Sequence, residues 1–418
     1  MIPRLELKKI VSSPIVMALL VLFTAFNLYL IYMNAPKSED VAKINEVIDA
    51  YGSLMDQDGR YLLKDSYEIG LESWNARNGK EFESASEFFK AENYYPVMDS
   101  GEISDREFDK IVDLNVKESI LLTAEGLEQQ YQKWDLLKSA EAQIELYGIK
   151  GEAADTVRKQ YKSLIPRFEE IKGDQEHLHV FLPGKIFRTH SLVFKTLFGV
   201  VLFQIMLLVV LFTAFLTNYE FDQGSHLVTF STKRGRGLMW DKLLAALSAT
   251  GMVTAFLLLA TFGTYFLTVD YSRLWHLPIS TGFMIEPDGN PFISWWDLSF
   301  IQYFWLGILL IFVLQVLFTL ITFVLSLWMK NSYVVFIVFA ILFGLGLLVP
   351  GEMPKDSVLS LYTTFNPSSL VLGSKKWWME SGAFTTFKYY EMITAGVWMA
   401  GFILAGWFSM KKFHTRNL

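Results

Sequence analysis

Residues 220–242, EFDQGSHLVTFSTKRGRGLMWDK, combine side-chain types that suit the docking of a partner protein. Gly224 interrupts the apolar run before it, and a short segment follows that would be about 12 Å long as a helix. Apolar side chains on such a stub, with cations beside them, are a recurring way to hold a partner. The candidate docking residues in this stretch are Leu227, Val228, Phe230, Arg234 and Arg236.

Motifs for catalysis are missing from the sequence. It contains no G-x-x-x-x-G-K-[ST] phosphate loop, no H-E-x-x-H and no G-x-S-x-G. Cysteine is absent, which excludes disulfides and thiolate metal sites. His177 and His179 are the nearest approach to a metal motif, but two histidines without further ligands do not make a site. We therefore expect neither an enzyme nor a metal or cofactor in this chain.

Polar side chains are rare within the long apolar runs. Interhelical hydrogen bonding is their expected role, and lining of a substrate pathway is the alternative. The runs carry no Asp, Glu, Lys or Arg near their middle, which disfavours an ion-coupled carrier. The candidate pathway residues are Asn27, Gln204, Gln302 and Gln315.

These residues lie in or between six stretches that lack charged side chains. Each stretch reaches the roughly 20 residues that a helix needs to cross about 30 Å of hydrocarbon. Backbone polar groups must be satisfied internally in lipid, so the stretches are expected to be helices. The sequence therefore predicts an all-α membrane protein with spans within 10–36, 196–219, 243–269, 298–329, 331–351 and 392–410.

Charge predicts the orientation of these spans. With the N-terminus inside, the internal segments carry 11 Lys and Arg against four acids, whereas the outer loops 270–297 and 352–391 carry five basic and eight acidic residues. This is the distribution that the positive-inside rule requires. We expect a multi-pass protein of the cell membrane with both termini in the cytoplasm and residues 34–190 outside.

Residues 34–190 differ from the rest in composition. They hold 20 Lys and Arg and 31 Asp and Glu, a net charge of −11 in a chain of net −6. Apolar residues recur there at spacings of three and four, and breakers such as Asn78-Gly79 and Gly148 separate the repeats. This pattern predicts a mainly α-helical domain that folds as a soluble unit when residues 36–188 are expressed alone.

Three segments resemble the permease subunit of exporter-type ABC transporters, in the subgroup with a large ectodomain after the first span. The loop matches that family's cytoplasmic loop at Glu220, Gly224, Thr229 or Thr232, Arg234 or Arg236, and Lys242. The N-terminal MIPRLELKKIVSSP resembles its amphipathic elbow helix. YTTFNPSSLVLG (362–373) resembles its outer re-entrant segment.

The resemblance implies a domain organisation for this chain and a set of partner subunits. The expected organisation is an elbow helix and first span (1–33), an extracytoplasmic domain (34–190), and five spans with a coupling loop (218–242) and C-terminal tail (191–418). Glu220, Gly224 and Lys242 then join the docking residues. Two ABC ATPase subunits would bind ATP and Mg, and a second permease copy or a related permease would complete the complex in the bilayer, with no nucleic acid.

Such a complex would move an amphipathic, lipid-like, peptide or drug-like substrate outward. The alternative from another class is a membrane sensor or scaffold, in which the domain 34–190 receives an extracellular ligand or partner.

The orientation generates a labelling prediction. Cysteines placed at Ser100 and Ser368 should react with an impermeant maleimide in intact cells, and one at Ser225 should react only after lysis. Labelling of Ser225 in intact cells, or protection of Ser100, would contradict the orientation.

Overall fold

The computed structural model describes residues 2–34, 38–90, 93–95, 103–182, 191–232, 235–284, 291, 293–380 and 382–415. Six of its helices are long and apolar enough to cross a membrane. Within the described residues the chain is helical with isolated bridges in place of strands. The predicted all-α membrane protein is thus confirmed.

The membrane part begins with α1 (Ile2–Val11) and the first span, α2 (Pro14–Asn34). The second span is a π-helical turn, Leu192–Leu197, continued by α9 (Phe198–Asp222). The short α10 (His226–Ser231) leads into the third span, α11 (Leu238–Thr268). The remaining spans are α12 (Phe300–Met329), α13 (Ser332–Glu352) and α16 (Tyr390–Thr415), with α14 (Leu359–Tyr362) and α15 (Pro367–Leu372) between the last two.

Between the first two spans lies the inserted domain, residues 34–190. Its helices are α3 (Ser38–Tyr51), α4 (Gln57–Asn78), α5 (Ala85–Phe88), α6 (Asp105–Lys133), α7 (Leu136–Tyr147) and α8 (Gly151–Gly173). The predicted breakers end helices as expected, because Gly79 and Gly148 take the left-handed conformation that terminates α4 and α7. The domain is helical, as its apolar periodicity predicts.

Burial differs strongly among the six spans. In the most apolar window of α9 and of α12, 72% and 61% of residues are buried, against 44% for α11, 17% for α2, 11% for α13 and 17% for α16. The second and fourth spans therefore form the centre of the bundle, and α9 packs on α11, α12 and α13. The three least buried spans, α2, α13 and α16, expose apolar faces that only lipid or a partner helix can cover.

The inserted domain shares its core with the loops beneath it. Tyr161 and Val157 of α8 pack in one cluster with Leu361, which is fully buried. The Lys150 N–H donates to the Lys355 carbonyl at 2.9 Å, and the Tyr161 hydroxyl donates to Glu380 at 2.5 Å. The domain is therefore seated on the loops at this end of the bundle, which we call the domain end.

This seating changes two expectations. A fragment of residues 36–188 would expose the apolar face of α8 that Leu361 covers, so the domain is less independent than its composition predicts. Ser368 is 5% exposed, so it is a poor labelling site. The exposed Asp356, on the same stretch between the fifth and sixth spans, is the better position for a cysteine.

Leu361→Ala should loosen the inserted domain from the bundle. Removing a buried leucine side chain costs about 2–5 kcal/mol, and here the cavity would open under α8. Hydrogen exchange of α8 amides in the full chain should become faster. Leu359→Ala is the matched control, because Leu359 is 56% exposed two residues away. Equal exchange in the two variants would show that the seating does not depend on this contact.

Candidate functional site

At the end of the bundle opposite the inserted domain, two ionised side chains are buried together. Glu220 in the last turn of α9 is 4% exposed, and Lys242 in the first turns of α11 is fully buried. The Lys242 ammonium donates to the Glu220 carboxylate, and also to the Leu216 carbonyl at 2.6 Å. Each of these acceptors lowers the cost of burying the ammonium group. The pair therefore joins the second and third spans where the loop leaves the bundle.

The N-terminal helix extends this ion pair into a cluster of four. Lys9 of α1 lies 3.4 Å from Glu220 and 2.9 Å from Glu6, and its ammonium sits 4.4 Å from the centre of the Tyr219 ring. Two acids and two bases balance, which lowers the cost of burying them. We call Glu6, Lys9, Glu220 and Lys242 the ion cluster. It links α1, the predicted elbow helix, to both ends of the loop.

The loop itself folds as a turn, a short helix and a second turn. Gly224 has φ of +67°, and the Ser225 N–H bonds back to the Glu220 carbonyl at 2.9 Å, which ends α9. After α10 the chain doubles back so closely that a Cβ at Gly235 would lie 2.4 Å from the Phe230 carbonyl oxygen. Only glycine permits this close approach of residue 235 to the backbone of Phe230.

The structure separates the predicted apolar anchors. Phe230 is 7% exposed and packs between the Phe221 and Phe413 rings, with centroids 5.5 Å away from each. Leu227 and Val228 are 60% and 74% exposed. Phe230 therefore holds α10 against the ends of the spans, and Leu227 and Val228 are the apolar side chains left for a partner.

The predicted charged docking residues also differ in their exposure and contacts. Glu220 and Lys242 are buried in the ion cluster, so they position the loop and cannot contact a partner directly. The partly exposed Arg236 donates to the His414 carbonyl near the end of the sixth span. Arg234 lies outside the described residues. Four of the eight candidate docking residues thus make contacts within this chain that hold the loop in place: Glu220, Phe230, Arg236 and Lys242.

Two of the candidate pathway residues form an amide pair inside the bundle. Asn27 and Gln204 exchange hydrogen bonds of 2.9 Å in both directions, and Asn27 also donates to the Thr261 hydroxyl at 3.0 Å. The first, second and third spans are thereby tied together. This is the interhelical role expected for such residues.

The other two glutamines lie apart. Gln302 sits at the domain end of α12, where its side chain accepts from the Ser299 N–H at 2.9 Å as part of a capping box. Gln315 is fully buried and donates to the Leu202 carbonyl at 3.1 Å. Gln302 is therefore a helix cap, whereas Gln315 lies at the contact of the two central spans.

Around Gln315 lies a group of buried polar side chains, which we call the polar seam, and Gln315 alone among them is a predicted pathway residue. It consists of buried hydroxyl and amide side chains on the facing sides of α9, α11 and α12, three helices that pack on one another. The Thr250 and Thr319 hydroxyls meet at 2.7 Å. The seam comprises Thr213, Thr217, Asn218, Thr250, Thr254, Gln315, Thr319, Thr322 and Ser326.

Much of this seam is unsatisfied. Both side-chain polar atoms of Asn218, the Thr254 hydroxyl and the Gln315 carbonyl oxygen are buried without a hydrogen-bond partner among the described residues. Threonine spacing of four, as in Thr213 and Thr217 or Thr250 and Thr254, is the sequence signal that could have revealed the seam.

The histidines of the inserted domain have structural surroundings. His177 stacks on Tyr131 with ring centroids 4.4 Å apart, and burial lowers its pKa. His179 faces the Ser53 hydroxyl at 3.1 Å, and burial lowers its pKa too. Among the described residues no group of three His, Asp or Glu is placed to hold a metal.

Removing one charge of the Glu220–Lys242 pair should destabilise the bundle more than removing both charges. Glu220→Leu or Lys242→Met leaves one buried charge unpaired, which costs about 3–5 kcal/mol, whereas the double variant replaces both with apolar groups and should recover most of the loss. The readout is the apparent unfolding temperature of the purified protein. Lys64→Met is the control, since Lys64 and Glu68 form an exposed pair. Single variants as stable as the wild type would contradict the assigned role.

No protein-family model, curated protein or solved structure matches this chain. The resemblance to ABC permeases therefore rests on the three segments described above and on the geometry of α10. The function must be inferred from those contacts.

Proposed function

We propose that this chain is the membrane-spanning permease subunit of an ATP-driven exporter, with ATP and Mg bound by separate ATPase subunits. The observation that carries the proposal is α10: a short helix between two spans, clamped by Phe230 on one side and offering Leu227 and Val228 to a partner on the other. Adjacent apolar side chains on a short helix, with cations beside them, are a recurring docking surface for a partner.

The contacts of Phe230 and of the ion cluster connect α10 firmly to the spans. Phe230 contacts the end of the sixth span through Phe413, and the ion cluster joins α9, α11 and α1 at the root of the loop. A partner that pushes or pulls α10 therefore acts on the second, third and sixth spans together. This is the mechanical requirement for coupling ATP-driven closure of a partner to movement in the membrane.

The polar seam offers a place for that movement to occur. It runs through the contact of the second, third and fourth spans and brings hydroxyl and amide side chains of all three helices into the bundle. A substrate with polar and apolar portions suits a path that is bordered by hydroxyls and surrounded by aliphatic side chains. The cell membrane is the proposed location, and a second permease copy or a related permease would cover the exposed faces of α2, α13 or α16.

Leu227→Asp with Val228→Asp tests the docking surface. We expect vanadate-sensitive ATP hydrolysis that co-purifies with the tagged wild-type chain from its native host. The double variant should retain less than about a tenth of it, since losing a central apolar anchor costs about 2 kcal/mol or more. Membrane insertion and the expression level of the chain should not change, because both side chains are exposed.

Gln223→Glu is the matched control, because it adds a negative charge to an exposed position in the same loop without removing an apolar side chain. A double variant with full ATPase activity would overturn the assignment of α10. A wild-type chain that carries no ATPase would favour the alternative, a sensor or scaffold that acts through the inserted domain.

A further inference from the structure

A cleft of about 650 Å³ opens on the side of the bundle between the first and second spans. This volume falls within the roughly 300–1,000 Å³ of small-molecule sites. Its walls are apolar side chains of α2 and α9, such as Phe26 and Phe203, and it is closed at the domain end by residues 371–375. Phe26, Phe203 and Leu372 are 46%, 44% and 63% exposed, so the cleft faces the surrounding bilayer.

Two lysines stand at the domain end of this cleft. Lys195 comes from the π-helical turn at the start of the second span, and Lys375 comes from the 3₁₀ turn Ser374–Lys376, which packs against that turn. Among the described lining residues there is no carboxylate. π-helical turns are rare and recur at functional sites. The rim is therefore cationic where lipid head groups would lie.

The depth of the cleft matches one leaflet. From Lys195 to Leu207 the second span rises roughly 18 Å, which is slightly more than half of the ~30 Å hydrocarbon core. Deeper in the cleft lies Gln204, whose amide is already paired with Asn27 in both directions. The deep part of the cleft thus has no polar side chain that needs a hydrogen bond from a ligand, and an acyl chain can lie against it.

From this geometry we infer that the cleft is a binding site for an anionic phospholipid of the leaflet on the domain side. One acyl chain lies between α2 and α9, and the phosphate lies between Lys195 and Lys375. Charge complementarity selects an anionic head group over a zwitterionic one, because two lysines lie at the level where the phosphates of the lipid head groups lie. This site does not depend on the proposed transport function.

Native mass spectrometry of the purified chain tests the inference. After exchange into an equimolar mixture of phosphatidylglycerol and phosphatidylcholine, the wild type should retain phosphatidylglycerol several-fold more. Lys195→Gln with Lys375→Gln should abolish that preference. Lys355→Gln with Lys388→Gln is the matched control, since both lysines lie on the domain end outside the cleft, and it should keep the preference.

A second variant tests the shape of the site. Val200→Trp places an indole in the cleft without touching either lysine, and it should lower retention of both lipids. An unchanged preference in the Lys195/Lys375 variant would overturn the inference. So would equal retention of the two lipids by the wild type, which would indicate ordinary annular lipid.

Discussion

The need to neutralise a buried ammonium group organises the end of the bundle that carries the loop. Lys242 is fully buried at the start of the third span, where an unpaired charge would be prohibitive. Glu220 of the second span forms an ion pair with it, and Lys9 and Glu6 of α1 add one positive and one negative charge to the cluster. The entry and exit of the loop are thereby held together, and α10 projects from a fixed base.

The second span connects this end to the other. It carries Lys195 at the lipid-facing cleft, Gln204 in the amide pair, Thr213 and Asn218 in the polar seam, and Glu220 in the ion cluster. It is also the span with the largest buried share. A displacement of α9 would therefore move residues at all four sites, because a continuous helix moves along its axis as one body.

The inserted domain is part of the same mechanical unit. Its last helix shares a hydrophobic cluster with Leu361 and Ala383, and the Gly282 N–H donates to the His177 carbonyl at 3.0 Å. A side chain at Gly282 would meet Leu127 of α6 at 2.7 Å, so domain and loop approach each other closely. The domain contacts the loops at the domain end of the bundle as well as being joined to the first and second spans by the chain.

The sequence by itself determined the six spans, the helical inserted domain and the position of the loop. These follow from hydropathy and local periodicity, which act within a segment: Gly79, Gly148 and Gly224 end helices wherever the rest of the chain lies. The sequence also indicated that Asn27 and Gln204 would bond between helices, because an amide in hydrocarbon needs a partner.

Only the tertiary structure decided which loop residues are available to a partner. Leu227, Val228 and Phe230 look alike as apolar side chains of one short segment, yet only Phe230 is buried, because it packs against the ends of the second and sixth spans through Phe221 and Phe413. Likewise, Glu220 and Lys242 form a pair only because the second and third spans pack against each other. The seam and the cleft depend on facing surfaces of separate helices. Burial of this kind is set by long-range packing, on which local periodicity carries no information.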